Sequence, residues 1–278
     1  MAHSIVESAE AILDQEFPVL NHGFVRLVDY MGGDDRIVQA ARVSYGAGTK
    51  SYRQDKGLIN YLLRNEHTSP FEQVVLTFHV KMPIFVARQW IRHRTARLNE
   101  ISGRYSVMKD EFYIPAPEDV AAQSEDNKQG RTPEPMSAEE ARQVRERLEG
   151  GQRRAYAEYE ELLEQGVARE LARVNLPLSL YTEWYWQMDL HNLFHFLKLR
   201  IDPHAQREIR LYAEQVLDIT EKVAPIACEA FRAHIRESAR FNGQELEALR
   251  RMTRGEDHGL EGRAAELFLA KLEKGSEV

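Results

Sequence analysis

Two stretches of this chain, 24–30 (FVRLVDY) and 74–81 (VVLTFHVK), alternate apolar and polar residues. A period of two sends successive side chains to opposite faces of an extended chain, so both favour strands. An aromatic run at 180–188 (LYTEWYWQM) reads as a third strand, and 112–117 as an edge strand. Most of the rest has helical spacing. The pattern predicts a helix over 4–16, with Ser4 and Glu7 in capping-box spacing. Asp34 or Asp35 can cap a second, carrying Ile37, Val38, Ala41 and Val43. Further helices are expected over about 51–64 and over 84–94, where Gln89 and Arg92 share a face. Ser137 and Glu140, again in capping-box spacing, open a long charged helix to 164. Asp189 can cap the helix that follows it, and 205–240 reads as one helix kinked at Pro225. The tail beyond Gln244 is helical and charged, with a turn at Gly255 and Gly259. The polar, proline-rich stretch 118–136 reads as a mobile connection or lid.

Chemistry concentrates at 92–105, RHRTARLNEISGRY. Guanidinium groups offer rigid forks of donors that match phosphate and carboxylate. Gly103 adds backbone freedom where a chain wraps an anion, and Glu100 can orient two arginines. The formal net charge is −7, so this positive charge is local. That balance argues against a dedicated nucleic-acid binder, whose affinity rests on neutralising phosphates. A solvated basic loop and an RNA-binding patch are the plainer readings, but the apolar flank IFVARQWI shows that the stretch leaves a buried element.

Other constellations are weaker. His191 and His195 lie four apart, with Asp189, Asp202 and His204 close in sequence. Such a set can hold zinc or iron and suggests a metal-dependent phosphohydrolase, yet HNLFH lacks the glutamate of the protease pattern. Arg200 falls on the apolar side of its helix and so needs a partner. Cys228, the one cysteine, excludes an internal disulfide and reads as a small buried apolar residue. No signal core and no bilayer-length apolar run occur, so a cytoplasmic protein is expected.

The stretch 92–105 resembles the signature of flavin-dependent thymidylate synthases. Arg92, His93, Arg94, Asn99, Glu100, Ser102, Arg104 and Tyr105 stand at its specified positions, and Arg97 departs where Ser is usual. The blocks HTSPFE (67–72), ARVNLP (172–177) and LKLRIDPHAQREIR (197–210) match as well. The resemblance implies an α+β fold with a central antiparallel sheet flanked by long helices. It implies a single synthase domain at 1–240 with a helical, charged extension at 241–278, and a homotetramer with active sites between subunits. The implied reaction is reductive methylation of dUMP to dTMP, with methylenetetrahydrofolate giving the carbon and NADPH reducing FAD. No metal, cysteine nucleophile, nucleic acid or membrane is implied.

Residue by residue, the resemblance places Ser69, Arg92, His93, Arg94, Glu100, Asp189, His191 and His195 around the flavin. Asp189 and His191 depart from the Asn and Arg usual there. Gln89, Arg92, Glu100, Ser102, Gly103, Arg104, Arg173 and Arg200 are implied to hold the nucleotide. Arg200 is also implied to be catalytic, stabilising negative charge on the uracil ring. No glycine-rich dinucleotide fingerprint is present, so the flavin must be held by other means.

Overall fold

A computed structural model describes residues 4–43, 52–125 and 128–273 of the chain. After a short helix α1 (Glu7–Glu10) come strands β1 (Glu16–Val19) and β2 (Gly23–Met31) and helices α2 (Asp34–Ala41) and α3 (Tyr52–Arg64). Strand β3 (Val75–Pro83), helix α4 (Ile84–Trp90) and strand β4 (Arg97–Glu100) follow, then a hairpin of β5 (Ala121–Gln123) and β6 (Arg131–Pro135). The long α5 (Ala138–Glu164) and short α6 (Arg169–Ala172) lead to β7 (Tyr181–Asp189) and α7 (Leu190–Arg200). The chain continues through α8 (Arg207–Val223) and α9 (Pro225–Phe231), and ends in α10 (Gly243–Thr253) and α11 (Gly262–Glu273).

Five strands form one antiparallel sheet in the order β1-β2-β3-β7-β4, the central sheet with flanking helices that the resemblance implied. Alternation on β3 sends Leu76, Phe78, Val80 and Met82 to a face with no exposure. In register beside them on β7 lie Met188, Trp186 and Trp184, so the two strands build one apolar surface. Helix α8 covers this surface with Ile209, Tyr212, Val216 and Ile219.

Trp90, the last residue of α4, is fully buried. It stacks on Phe196 at 4.8 Å and meets Trp184 and Trp186 edge-on at 5.8 and 5.3 Å. Burying an aromatic side chain this way contributes about 2–3 kcal/mol. Its position fixes the point from which the arginine-rich stretch departs.

Several expectations are corrected. The predicted helix 4–16 shrinks to α1, because Glu16–Val19 pairs with β2 as an edge strand. Its expected capping box is absent: Ser4 Oγ donates to Asp35 instead, at 2.7 Å. Asp34 does not cap α2, whose N-cap is Gly33. Its carboxylate accepts from the N–H groups of Ile226 and Ala227 at 2.8 and 2.9 Å, capping α9 from a distant part of the chain. Val43 lies beyond α2 and is exposed, and residue 51 of the next predicted helix falls outside the described residues. Helix α4 stops at Trp90 rather than at 94, and residues 97–100 of the signature stretch form strand β4, paired with β7.

The expected strand at 112–117 reduces to one bridge between Phe112 and Leu180. The stretch 118–136 carries the β5–β6 hairpin. The single helix over 205–240 breaks at Ala224, because Pro225 has no N–H and forces the residue before it out of helical geometry. The capping box of Ser137 and Glu140 is formed, and Gly255 and Gly259 turn the tail with φ of 76° and 74°.

Candidate active site

Three groups of the expected residues emerge. The first gathers around Arg200 at the C-terminal end of α7. Its Nε donates to His93 Nε2 at 3.1 Å and its Nη2 to the carbonyl of Gln89 at 3.0 Å. The Gln89 side chain is in turn hydrogen-bonded to Gln206. The His93 ring packs against Phe196 at 5.0 Å and His195 at 5.8 Å. Burial and then the neighbouring Arg200 guanidinium push His93 down to about 4. The ring is therefore neutral near pH 7, and a neutral ring that accepts at Nε2 carries its proton on Nδ1. Burial and then Arg92 lower the Arg200 pKa as well.

The second group follows the β4 edge. Register with β7 brings Glu100 beside Trp184, and Glu100 Oε1 accepts from Thr182 Oγ1 at 2.6 Å. Ser102 then starts a tight turn: its carbonyl accepts from the N–H groups of Tyr105 and Ser106, and its Oγ from that of Arg104 at 3.3 Å. Gly103 is needed for closeness, since a Cβ there would stand 2.9 Å from Met108 Sδ and 3.1 Å from Arg173 Cδ. That approach brings Arg173 to the signature turn. Arg104 Nε pairs with Glu170 at 3.2 Å, both side chains more than half exposed.

The third group lies at the N-terminal end of α7. Asp189 caps this helix as expected, accepting from the N–H and the side-chain amide of Asn192 at 2.9 and 2.7 Å. The segment that follows Ser69 packs on the same helix: Phe71 meets Phe194 at 6.4 Å, and Val74 O accepts from Leu190 N at 2.8 Å. His191 sits within the first turn of α7. Helix α7 joins the third group to the first, since it carries both His191 and His195.

Among the described residues, Arg92, Arg94, Arg97, Arg173 and Arg200 have no carboxylate within ion-pair distance. Guanidinium groups left without an anion in one region suit an anionic ligand. The metal reading loses its geometry. His195 faces His93, Asp202 is tied to His204 at 2.8 Å, and no three His, Cys, Asp or Glu side chains come together among the described residues. Cys228 is fully buried, and burial, followed by Glu221 and Asp34, raises its thiol pKa well above the ordinary value.

Sequence reasoning passed over Gln206, Thr182 and Glu170. Gln206 stood inside a matching block but carried no charge to draw notice. The other two meet their partners only through the β4–β7 register and the 102–105 turn, which no local pattern encodes.

Residues 26–226 match the family model described as thymidylate synthase complementing protein, and residues 239–278 match that of the thymidylate synthase ThyX C-terminal domain. The chain is 61% identical over 266 residues to a flavin-dependent thymidylate synthase of Treponema denticola, covering 96% of this chain and 100% of that one. It is 58% identical to its namesake in Treponema pallidum, covering 99% of this chain and 90% of the other. A crystal structure of the UMP/dUMP methylase PolB from Streptomyces cacaoi bound with 5-Br dUMP superposes with a TM-score of 0.72 at 35% identity, covering 79% of this chain and 99% of that one.

Proposed function

The chain belongs to the family of flavin-dependent thymidylate synthases, and from that premise we propose that it converts dUMP to dTMP with methylenetetrahydrofolate as carbon donor and NADPH as reductant. It is an FAD-dependent enzyme. The observation that carries the reading is the set of arginines without carboxylate partners on the signature residues themselves and on Arg173 and Arg200. Flavin dinucleotide, nucleotide monophosphate and folate all bring anions that such guanidinium groups can take.

The donor set fits FAD. Arg92, Arg94 and His93 supply donors for a pyrophosphate and a ring edge, and Ser69, Glu100, His191 and His195 complete its surroundings, with Asp189 holding the end of α7. FAD, when bound, supplies the hydride it has received from NADPH. Gln89, Glu100, Ser102, Gly103, Arg104 and Arg173 bind the nucleotide, and the close approach at Gly103 brings the Arg173 guanidinium to the signature turn, where it suits the phosphate.

Arg200 acts on the pyrimidine. His93 and the Gln89 carbonyl fix its Nε and Nη2, which leaves Nη1 for an oxygen of the uracil ring. A fixed cation at that oxygen stabilises negative charge spreading into the ring and makes the ring carbon nucleophilic without a covalent enzyme bond. The raised pKa of Cys228 accords with a mechanism that needs no thiolate. A homotetramer in the cytoplasm completes the proposal. Among the described residues no helix is long and apolar enough to cross a membrane.

The test is the visible spectrum of the purified protein before and after anaerobic NADPH with dUMP. A flavin spectrum that bleaches is expected, followed by dTMP formation once methylenetetrahydrofolate is added. A colourless protein that takes up no added FAD would overturn the reading.

A further inference from the structure

The β5–β6 hairpin is pinned to the start of α8 by Glu208, which is 3% exposed. Its Oε1 accepts from Tyr113 Oη at 2.9 Å and from Arg131 Nη2 at 2.5 Å. Arg131 Nη1 donates to the carbonyl of Asp119 at 2.6 Å, and Arg207 pairs with the Asp119 carboxylate. Removing one partner from a buried charged set is costly, so this network holds the hairpin firmly against the helix.

Between the hairpin and the turn that opens α8 lies a cleft of about 750 Å³. That volume falls within the range of small-molecule sites. Its walls carry Arg131, Arg207 and Arg210 against Glu118 and Asp119, an excess of cations in a chain of net charge −7. Arg131 and Arg207 are engaged by Glu208 and Asp119. Arg210 has no carboxylate partner among the described residues and donates to the Pro203 carbonyl at 3.3 Å.

One wall residue belongs also to the Arg200 group. Gln206 is the N-cap residue of α8, yet its side chain caps nothing and is hydrogen-bonded to Gln89, whose carbonyl holds Arg200. Arg210 follows it by one helical turn, about 6 Å along the axis.

We propose that this cleft docks the anionic end of a co-substrate, gripped by Arg210, while the reactive end passes Gln206 toward the Arg200 group. The inference rests on the thymidylate synthase reading. Two co-substrates of that reaction carry such an end, methylenetetrahydrofolate in its glutamate carboxylates and NADPH in its phosphates. A guanidinium fork recognises either group through paired charged hydrogen bonds.

The test uses the FAD-loaded enzyme and the variants Arg210→Glu and Arg210→Lys. We measure KM for dUMP, for NADPH, and for methylenetetrahydrofolate with one and with five glutamates. Losing a charged hydrogen bond corresponds to a rise of roughly tenfold or more in KM. Arg210→Glu is expected to raise KM by that factor for one co-substrate, with partial recovery in Arg210→Lys and with the dUMP KM and flavin spectrum unchanged. A rise confined to NADPH assigns the cleft to phosphate. A rise confined to the folate, larger for five glutamates than for one, assigns it to carboxylate. Unchanged KM for both co-substrates in an active enzyme overturns the inference alone. A wild-type protein with flavin but no dUMP-dependent turnover removes the parent reading, and the inference with it.

Discussion

Arg200 and His93 allow only one protonation pattern between them. An imidazole that accepts from a guanidinium must be neutral at that nitrogen, and the low pKa of His93, about 4, keeps it so. The pair therefore orients the cation without neutralising it, which a carboxylate in the same place would do. Arg200→Ala is expected to cut turnover about a hundredfold, as loss of a positioned charge donor does, while the flavin spectrum persists. Steady-state rates with absorbance at saturating dUMP check this, and retained turnover would remove the role of Arg200. Cys228 poses the opposite case. Buried and disfavoured as a thiolate, it contributes volume alone, so Cys228→Ala is expected to keep turnover within twofold and lose about 1 kcal/mol of stability. A folded but inactive variant would mean that a thiol takes part after all. The spacing of His191 and His195 was visible in the sequence, but the meeting of His195 with His93 was not. That contact crosses more than a hundred residues and depends on where Trp90 anchors the chain.

Among the elements, those with a complete local signal were legible. β2, β3 and β7 announced themselves by period or aromatic content, and α5 by its capping box. What failed was decided by tertiary pairing. β4 is a four-residue strand that exists because β7 offers a free edge. Asp34 looked like the cap of the helix beginning beside it and instead caps α9, almost two hundred residues away. This misplaced cap has a measurable signature. Burial raises the Asp34 pKa to about 6, although two backbone N–H groups favour the charged form. A folded-state pKa above the unfolded value means that the native protein binds the proton more tightly. The contribution is then fully present below about 4 and lost as pH rises through about 6. Asp34→Asn cannot ionise, so its stability relative to wild type should improve steadily between pH 4 and pH 6. Urea unfolding of both proteins across that window gives the difference directly, and a gap that stays constant or moves the other way would show that Asp34 ionises without penalty.

At the scale of the whole molecule the chain divides its burial unevenly. One core of sheet and helices runs from Ala9 to Phe231, and a second, smaller one holds Met108 and Ala172 beside the signature turn and Arg173. The tail is organised around its own small centre: Phe268, fully buried, meets Phe241 at 6.1 Å and His258 at 5.9 Å, and Lys271 Nζ donates to Glu245 at 2.6 Å. A link across the boundary, Arg240 to Glu66 at 2.9 Å, joins two exposed side chains and so contributes at most about 1 kcal/mol. A chain ending at residue 240 should therefore keep its core, with a shift of only a few degrees in Tm, since about 1 kcal/mol moves a domain of this size by 2–4 °C. Thermal unfolding of the full and shortened proteins at equal concentration, with bound flavin read from the same samples, makes the comparison. A drop beyond 10 °C, or loss of flavin with the fold intact, would mean that residues 241–278 support the catalytic body and that the division at 240 is wrong.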